Sequence, residues 1–263
     1  MNVQDLFDLT DRVAIVTGGA GHLGTALSMA LAEAGARVMI ASRSVDKCQA
    51  LAAKLIESGH QAAATHCDIT DEASIRAAVD ATAEQFGRLD ILVNNAYGGP
   101  APTIADATAD DFQSALMAGV TAYFVAAQQA AGHMRTAGGG SIINIASMYG
   151  MVASYPEVYV DQPFNSPPNY HAVKGGVIHL TRHLGVYWAA DKIRVNAISP
   201  GAFPPPRVED NAPVMVERIV ERIPMHRIGQ PDEIKGAALF LASQASSYVT
   251  GQNIVVDGGW TSW

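Results

Sequence analysis

Tyr170 and Lys174 stand four residues apart in Tyr170-His171-Ala172-Val173-Lys174, at the head of a segment with helical periodicity. On a helix that spacing puts both side chains on one face. A phenol with an ordinary pKa of about 10 is a poor acid or base at neutral pH. A nearby ammonium favours the phenolate and lowers that pKa. The pair therefore suits proton transfer to or from an alcohol oxygen. Taken alone, Tyr-x-x-x-Lys is a common and unspecific pattern.

A second element of chemistry lies near the start of the chain. Gly19-Ala20-Gly21-His22-Leu23-Gly24 fits G-x-G-x-x-G directly after an apolar run and at the opening of a helical pattern. Glycines there allow a tight turn and let the backbone approach a pyrophosphate, and the helix N-terminus adds free N–H groups and a favourable dipole. The next apolar run ends in Ala41-Ser42-Arg43. An acidic residue at that point would accept bonds from the ribose hydroxyls of NAD. Ser42 is neutral, and Arg43 suits the 2′-phosphate of NADP, which is therefore expected as the preferred cofactor over NAD. Asp68, followed by Ile69, either bonds the adenine amino group or starts the next turn.

These residues must be positioned by the elements between them. Buried strands are predicted at 13–17, 37–41, 61–66, 90–93, 141–146, 194–197 and 253–256. Helices are predicted at 22–34, 46–58, 71–86, about 109–134, 170–189 and 231–243. Strands with few polar positions belong to a parallel sheet covered on both faces. The alternation predicts an α/β doubly wound Rossmann fold whose strands end along one edge, where ligands bind. No linker separates two halves, so residues 1–263 are read as one domain.

Composition narrows the partners. Of 263 residues, 49% are hydrophobic and 16% charged, with a net charge of −8 and no basic cluster. This argues against nucleic acid or an anionic membrane surface, and no apolar run has the length of a membrane span. Met1 to Thr10 holds Asp5 and Asp8 and no basic n-region, which reads as no signal peptide. The only cysteines, Cys48 and Cys67, form no C-x-x-C pair. That fits a reducing cytoplasm and neither zinc nor a disulfide framework. His171, His179 and His183 fall on one helix without an acidic partner in register, so no metal site is expected.

Taken together and in order, Thr17 to Gly24, Asn94-Asn95-Ala96, Ser147, Tyr170 with Lys174, Pro200-Gly201 and Val256-Asp257-Gly258-Gly259 resemble the short-chain dehydrogenases/reductases, from Asp11 to Trp260. The resemblance implies an NAD(P)-dependent enzyme moving a hydride between nicotinamide and a carbonyl or alcohol, as a dimer or tetramer. Tyr170 would be its general acid/base and Lys174 would bind the nicotinamide ribose. Ser147 would hold the substrate oxygen. Thr17, Gly18, Gly19, Gly21, His22, Leu23 and Gly24 would form the phosphate loop. Asn94 and Ala96 would lie beside the adenine ribose, with Pro200 and Gly201 completing the cofactor site. Sugar-acid-handling relatives and the Gly-Trp-Thr tail suggest a polar substrate such as a sugar acid or polyol.

Four departures qualify that picture. His22 stands where short members have glycine, and the glycine spacing instead fits longer, epimerase-type members that hold NAD tightly. Gly119 takes the place of a common relay asparagine in the central helix. This leaves open either another provider of the relay water or a dinucleotide-binding sensor without turnover. The threonine common after Pro-Gly is missing. An inserted segment near residues 151–168 separates Ser147 from Tyr170. Read as a lid, its Tyr155, Tyr159 and Phe164 are expected to exclude water and its Glu157 and Asp161 to bond substrate hydroxyls; the alternative reading is a surface excursion or a subunit contact.

Overall fold

The computed structural model describes residues 2–263. Seven strands form one sheet: β1 (Val13–Thr17), β2 (Arg37–Ser42), β3 (Ala62–His66), β4 (Ile91–Asn94), β5 (Gly140–Ile145), β6 (Ile193–Pro200) and β7 (Asn253–Val256). Their order is β3-β2-β1-β4-β5-β6-β7 and every pairing is parallel. The order reverses between β1 and β4, which opens a crevice at their carboxyl ends. The apolar central strands are buried on both faces, as the sequence requires of a doubly wound sheet.

The helices are α1 (Val3–Phe7), α2 (His22–Glu33), α3 (Val45–Glu57), α4 (Glu72–Phe86), α5 (Ala109–Leu116), α6 (Ala122–Ala137), α7 (Pro168–Tyr187), α8 (Pro206–Asn211), α9 (Pro213–Arg222) and α10 (Lys235–Ala242). One face of the sheet packs on α4, α6 and α7 through Ile75, Val79, Ala126 and Val177. The other packs on α2, α3 and α10 through Leu27, Leu31, Leu55 and Leu241.

Several predicted elements change shape. The single helix expected from Ala109 to Met134 is two helices joined by a π-turn, Met117–Thr121. Gly119 lies in that turn and faces α7 so closely that a β carbon on it would collide with Val173. Glycine is a poor helix former, and π-turns inside helices often mark functional sites. Helix α7 begins at Pro168, two residues earlier than expected, with proline in its favoured first-turn position. Tyr170 is thereby fixed in the first turn. The expected helix from Pro231 to Ser243 starts as a 3₁₀ turn, Pro231–Ile234.

A third, smaller core lies outside the sheet at its carboxyl edge. Met148, Val158, Met215, Ile219, Ile223 and Trp260 pack together there, so the segment 151–168, α9 and the C-terminal turn form one lobe. The sequence reading left α8 and α9 unassigned and left the segment without structure. In fact the segment contains a 3₁₀ turn, Pro156–Val158. Trp260 is a member of this lobe, whereas Trp263 is exposed.

Candidate active site

The carboxyl ends of β1, β4, β5 and β6 enclose a cavity of about 480 Å³, within the range of small-molecule and cofactor sites. One end is made by the loop after β1. Gly18 has φ of +62°, and a β carbon on Gly24 would collide with the Gly18 carbonyl. Only glycine fits this turn. Gly21 precedes α2 and no side chain caps that helix, which leaves its first N–H groups available to an anion. His22 and Leu23 line the same wall. The Nε2 of His22 is buried without a partner. A diphosphate would satisfy these groups, so the donor set fits a dinucleotide.

The ends of β2 and β3 form the far wall, with Ser42, Arg43 and Ile69. The Ser42 hydroxyl is turned inward: it meets Cys48 Sγ at 3.0 Å and accepts from the Ser44 N–H at 3.1 Å. Arg43 remains exposed. Asp68 starts a turn and does not itself line the cavity. Its Oδ1 accepts from the Thr70 backbone and hydroxyl at 2.9 and 2.7 Å, which lowers its pKa and starts the turn, while Ile69 and Thr70 line the cavity.

Four residues assigned to cofactor contact do not line the cavity: Thr17, Gly19, Asp68 and Asn94. Thr17 supports it from behind, its Oγ1 accepting from the N–H of Asn95 at 3.0 Å and of Ala96 at 3.2 Å. Gly19 packs inward against Val16, Ser28 and Ile40. The Asn94 side chain is turned away from the cavity. Asn94 is 1% exposed and its amide donates to Asn144 Oδ1 at 2.9 Å and to the Tyr123 carbonyl at 3.2 Å. Asn144 in turn donates to Thr181 at 2.9 Å, so a buried polar chain ties β4 to β5 and α7. The pocket contact from this motif belongs to Asn95 and Ala96, with Tyr97 and Gly98 beyond them.

Ser147, Tyr170, Lys174, Pro200 and Gly201 meet at the other end of the cavity. Ser147 lies two residues beyond the end of β5 and its Oγ accepts from the Tyr149 N–H at 3.1 Å. Lys174, 3% exposed, donates to the Ile145 carbonyl at 2.8 Å. Its Nζ lies 5.6 Å from the centre of the Tyr170 ring, so the four-residue spacing does bring the pair together. Asn169 was missed by sequence reasoning. It is fully buried, and its amide donates to the carbonyls of Pro100 at 3.0 Å and Asp111 at 3.3 Å, clamping the first turn of α7 to the loop after β4.

The electrostatics correct the simple expectation of a phenol acidified by its lysine. Burial raises the Tyr170 pKa, opposed by the Ser147 hydroxyl and reinforced by Tyr159. Burial also pushes the Lys174 ammonium down to about 7. A lysine that is half neutral near pH 7 is a weak source of positive potential. Tyr170 is therefore protonated at rest and set to donate.

The inserted segment packs beside this end through side-chain contacts and contributes no residue to the cavity lining. The Tyr149 and Tyr159 hydroxyls meet at 2.8 Å. Ser166 Oγ meets His171 Nε2 at 2.7 Å, and the His171 ring stacks on Tyr149 at 4.8 Å. Glu157 does not face the cavity as expected. It pairs with Arg222 of α9, whose guanidinium also lies 4.2 Å from the Tyr155 ring. Asp161 is exposed at φ of +57°.

Comparison with known proteins agrees with this arrangement. A family profile described as enoyl-(acyl carrier protein) reductase matches residues 18–261. The chain is 36% identical over 272 residues to a D-threitol dehydrogenase of Mycolicibacterium smegmatis, covering 99% of this chain and 97% of that one. It is 35% identical over 253 residues to a cis-4-hydroxycyclohexanecarboxylate dehydrogenase of Sinomonas cyclohexanicum, covering 96% and 97%. Among solved structures, a gluconate 5-dehydrogenase from Burkholderia cenocepacia, in complex with NADP and tartrate, superposes with a TM-score of 0.90 at 35% identity over the full length of both chains. The parallel sheet, the glycine cradle and the Ser147, Tyr170 and Lys174 cluster thus belong to an oxidoreductase of the short-chain dehydrogenase/reductase family.

Proposed function

We propose that the protein is an NADPH-preferring dehydrogenase/reductase of a neutral, hydroxylated small molecule, with Tyr170 as its proton donor and acceptor. The observation that carries this reading is the convergence of Ser147, Tyr170 and Lys174 at the end of a cavity whose other end is a phosphate cradle. A nicotinamide cofactor supplies the hydride acceptor or donor when bound. Ser147 holds the substrate oxygen, Tyr170 passes the proton to or from it, and Lys174 sets the charge beside Tyr170. Neither a sensor without turnover nor an epimerase is favoured, since the relatives are named as dehydrogenases and reductases.

The choice of substrate class rests on the cavity wall. Its basic side chains are His22, Arg43 and Lys174, and the first two sit at the phosphate end. The reacting end offers hydroxyls and rings but no free cation for a carboxylate, which favours a polyol or ketose over a sugar acid. We read 151–168 as a substrate-side insertion that moves with α9. We also infer a cytoplasmic homo-oligomer. Free Cys48 and Cys67 support the compartment, and the exposed Val186 and Tyr187 on α7 support the assembly. Among the described residues, no helix is long and apolar enough to cross a membrane.

The test is a panel of D-threitol, sorbose, gluconate and 4-hydroxycyclohexanecarboxylate, followed at the nicotinamide absorbance with both cofactors. Neutral compounds turn over in preference to acids. Tyr170→Phe lowers kcat by about 10²–10⁴, the range of general acid–base catalysis, and leaves cofactor affinity nearly unchanged. Because burial raises the Tyr170 pKa above the ordinary phenol value, carbonyl reduction keeps its proton donor through neutral pH and loses it only above the usual phenol range, whereas alcohol oxidation rises with pH. Wild-type turnover by the phenylalanine variant removes Tyr170 from the mechanism.

Cofactor choice is checked separately. Ser42→Asp with Arg43→Leu replaces a phosphate partner by a carboxylate, so NADPH binding weakens and NADH binding is spared. A wild type that prefers NADH, or a double variant that still prefers NADPH, contradicts the assignment.

The lobe has its own prediction. Arg222→Leu removes both the Glu157 pair and the cation over Tyr155, contacts on the scale of about 1 kcal/mol, and raises substrate KM roughly threefold to tenfold with NADPH affinity unchanged. An unchanged KM would detach the segment from substrate binding.

A further inference from the structure

Lys174 sits among more aromatic surface than its hydrogen bonds account for. An ammonium has three donors, yet this one, almost fully buried, makes one bond, to the Ile145 carbonyl. Three rings surround its Nζ: Tyr97 at 5.2 Å, Tyr170 at 5.6 Å and Tyr123 at 5.7 Å. A cation within about 6 Å of a ring is attracted by its quadrupole, more strongly when both are desolvated.

Two of these rings have other work. Tyr123 is anchored by its own bond to the Ile145 carbonyl at 3.2 Å, and Tyr170 is the proposed proton carrier. Tyr97 is different. Its hydroxyl is buried and bonds nothing. Its ring is held by shape, in a slot that Gly99 leaves open and Gly119 borders. A β carbon at Gly99 would collide with the Tyr97 hydroxyl, and one at Gly119 would lie 3.6 Å from the ring edge while colliding with Val173. Seated there, the ring meets Tyr170 edge-on at 5.3 Å and closes one side of the Lys174 site. An unpaired buried hydroxyl is a standing cost, so the contribution of Tyr97 must come from the ring.

We propose that Tyr97 is a positioning residue whose ring, seated in the slot left by Gly99, fixes both the Lys174 Nζ and the Tyr170 ring for proton transfer, while its hydroxyl takes no part. This rests on the roles proposed above for Tyr170 and Lys174.

The test measures kcat, KM and thermal midpoint with NADPH or NADP and whichever panel compound is turned over fastest. Tyr97→Phe keeps the ring, stays within about twofold of the wild-type kcat, and matches or exceeds its thermal midpoint because the unpaired hydroxyl is gone. Tyr97→Leu and Tyr97→Met lose the ring, and kcat falls about tenfold or more while KM stays within about twofold. In a Lys174→Met background, Tyr97→Leu costs clearly less than in the wild type, since one of the two groups it positions is absent. A phenylalanine variant as impaired as the leucine one overturns the proposal, and this arm stands even if the ringless variants do not fold. So does wild-type kcat in the folded leucine and methionine variants, or an equal loss with and without Lys174. Wild-type turnover by Lys174→Met alone overturns the functional reading and this one with it.

Discussion

Lys174 carries an ammonium into a place that water barely reaches, and most of the site is arranged around that constraint. Burial penalises the charged form and pushes the group down to about 7. The compensation comes from one backbone carbonyl at the end of β5 and three ring faces. Holding them in place requires β5, the π-turn between α5 and α6, and α7 to meet at fixed distances. The buried chain from Asn94 through Asn144 to Thr181 ties strand to strand and sheet to α7 just behind the lysine. A buried hydrogen-bonded chain of this kind fixes geometry in a way that apolar packing alone does not.

The rest of the site follows from the parallel sheet. All seven strands end on one edge, so the phosphate cradle after β1 and the Ser147 turn after β5 open into one cavity although they are far apart in sequence. The rigid sheet carries the groups that need fixed positions. The lobe built from 151–168, α9 and Trp260 is attached through side chains such as Arg222 and the Tyr149–Tyr159 pair.

The sheet was legible because each strand is an apolar run ending at a glycine or polar turn, and the phosphate loop because glycine has a backbone reason to be there. Tyr170 and Lys174 were legible from spacing. Other features depend on tertiary contacts that no local pattern carries. Whether Asn94 or Asn95 faces the cavity is decided by the alternation of β4 at its last residue. The inward turn of Ser42 depends on Cys48, and the pairing of Glu157 depends on an arginine 65 residues away. Gly119 read as a missing side chain, whereas the structure makes it part of a π-turn packed on Val173. Helix α9 could have been found: Met215 and Ile219 recur at helical spacing between charged residues, after a proline at its start.

The most direct measurement is the titration of Lys174 itself, by NMR of protein carrying ¹³C-labelled lysine side chains, with Lys174→Met to assign its resonance. A buried ammonium held by one carbonyl and three rings loses its proton far below the ordinary value of 10.5, with a midpoint at about 7. A midpoint at the ordinary value would mean that the ammonium is solvated, and would contradict the buried lysine site on which the rest of the arrangement depends.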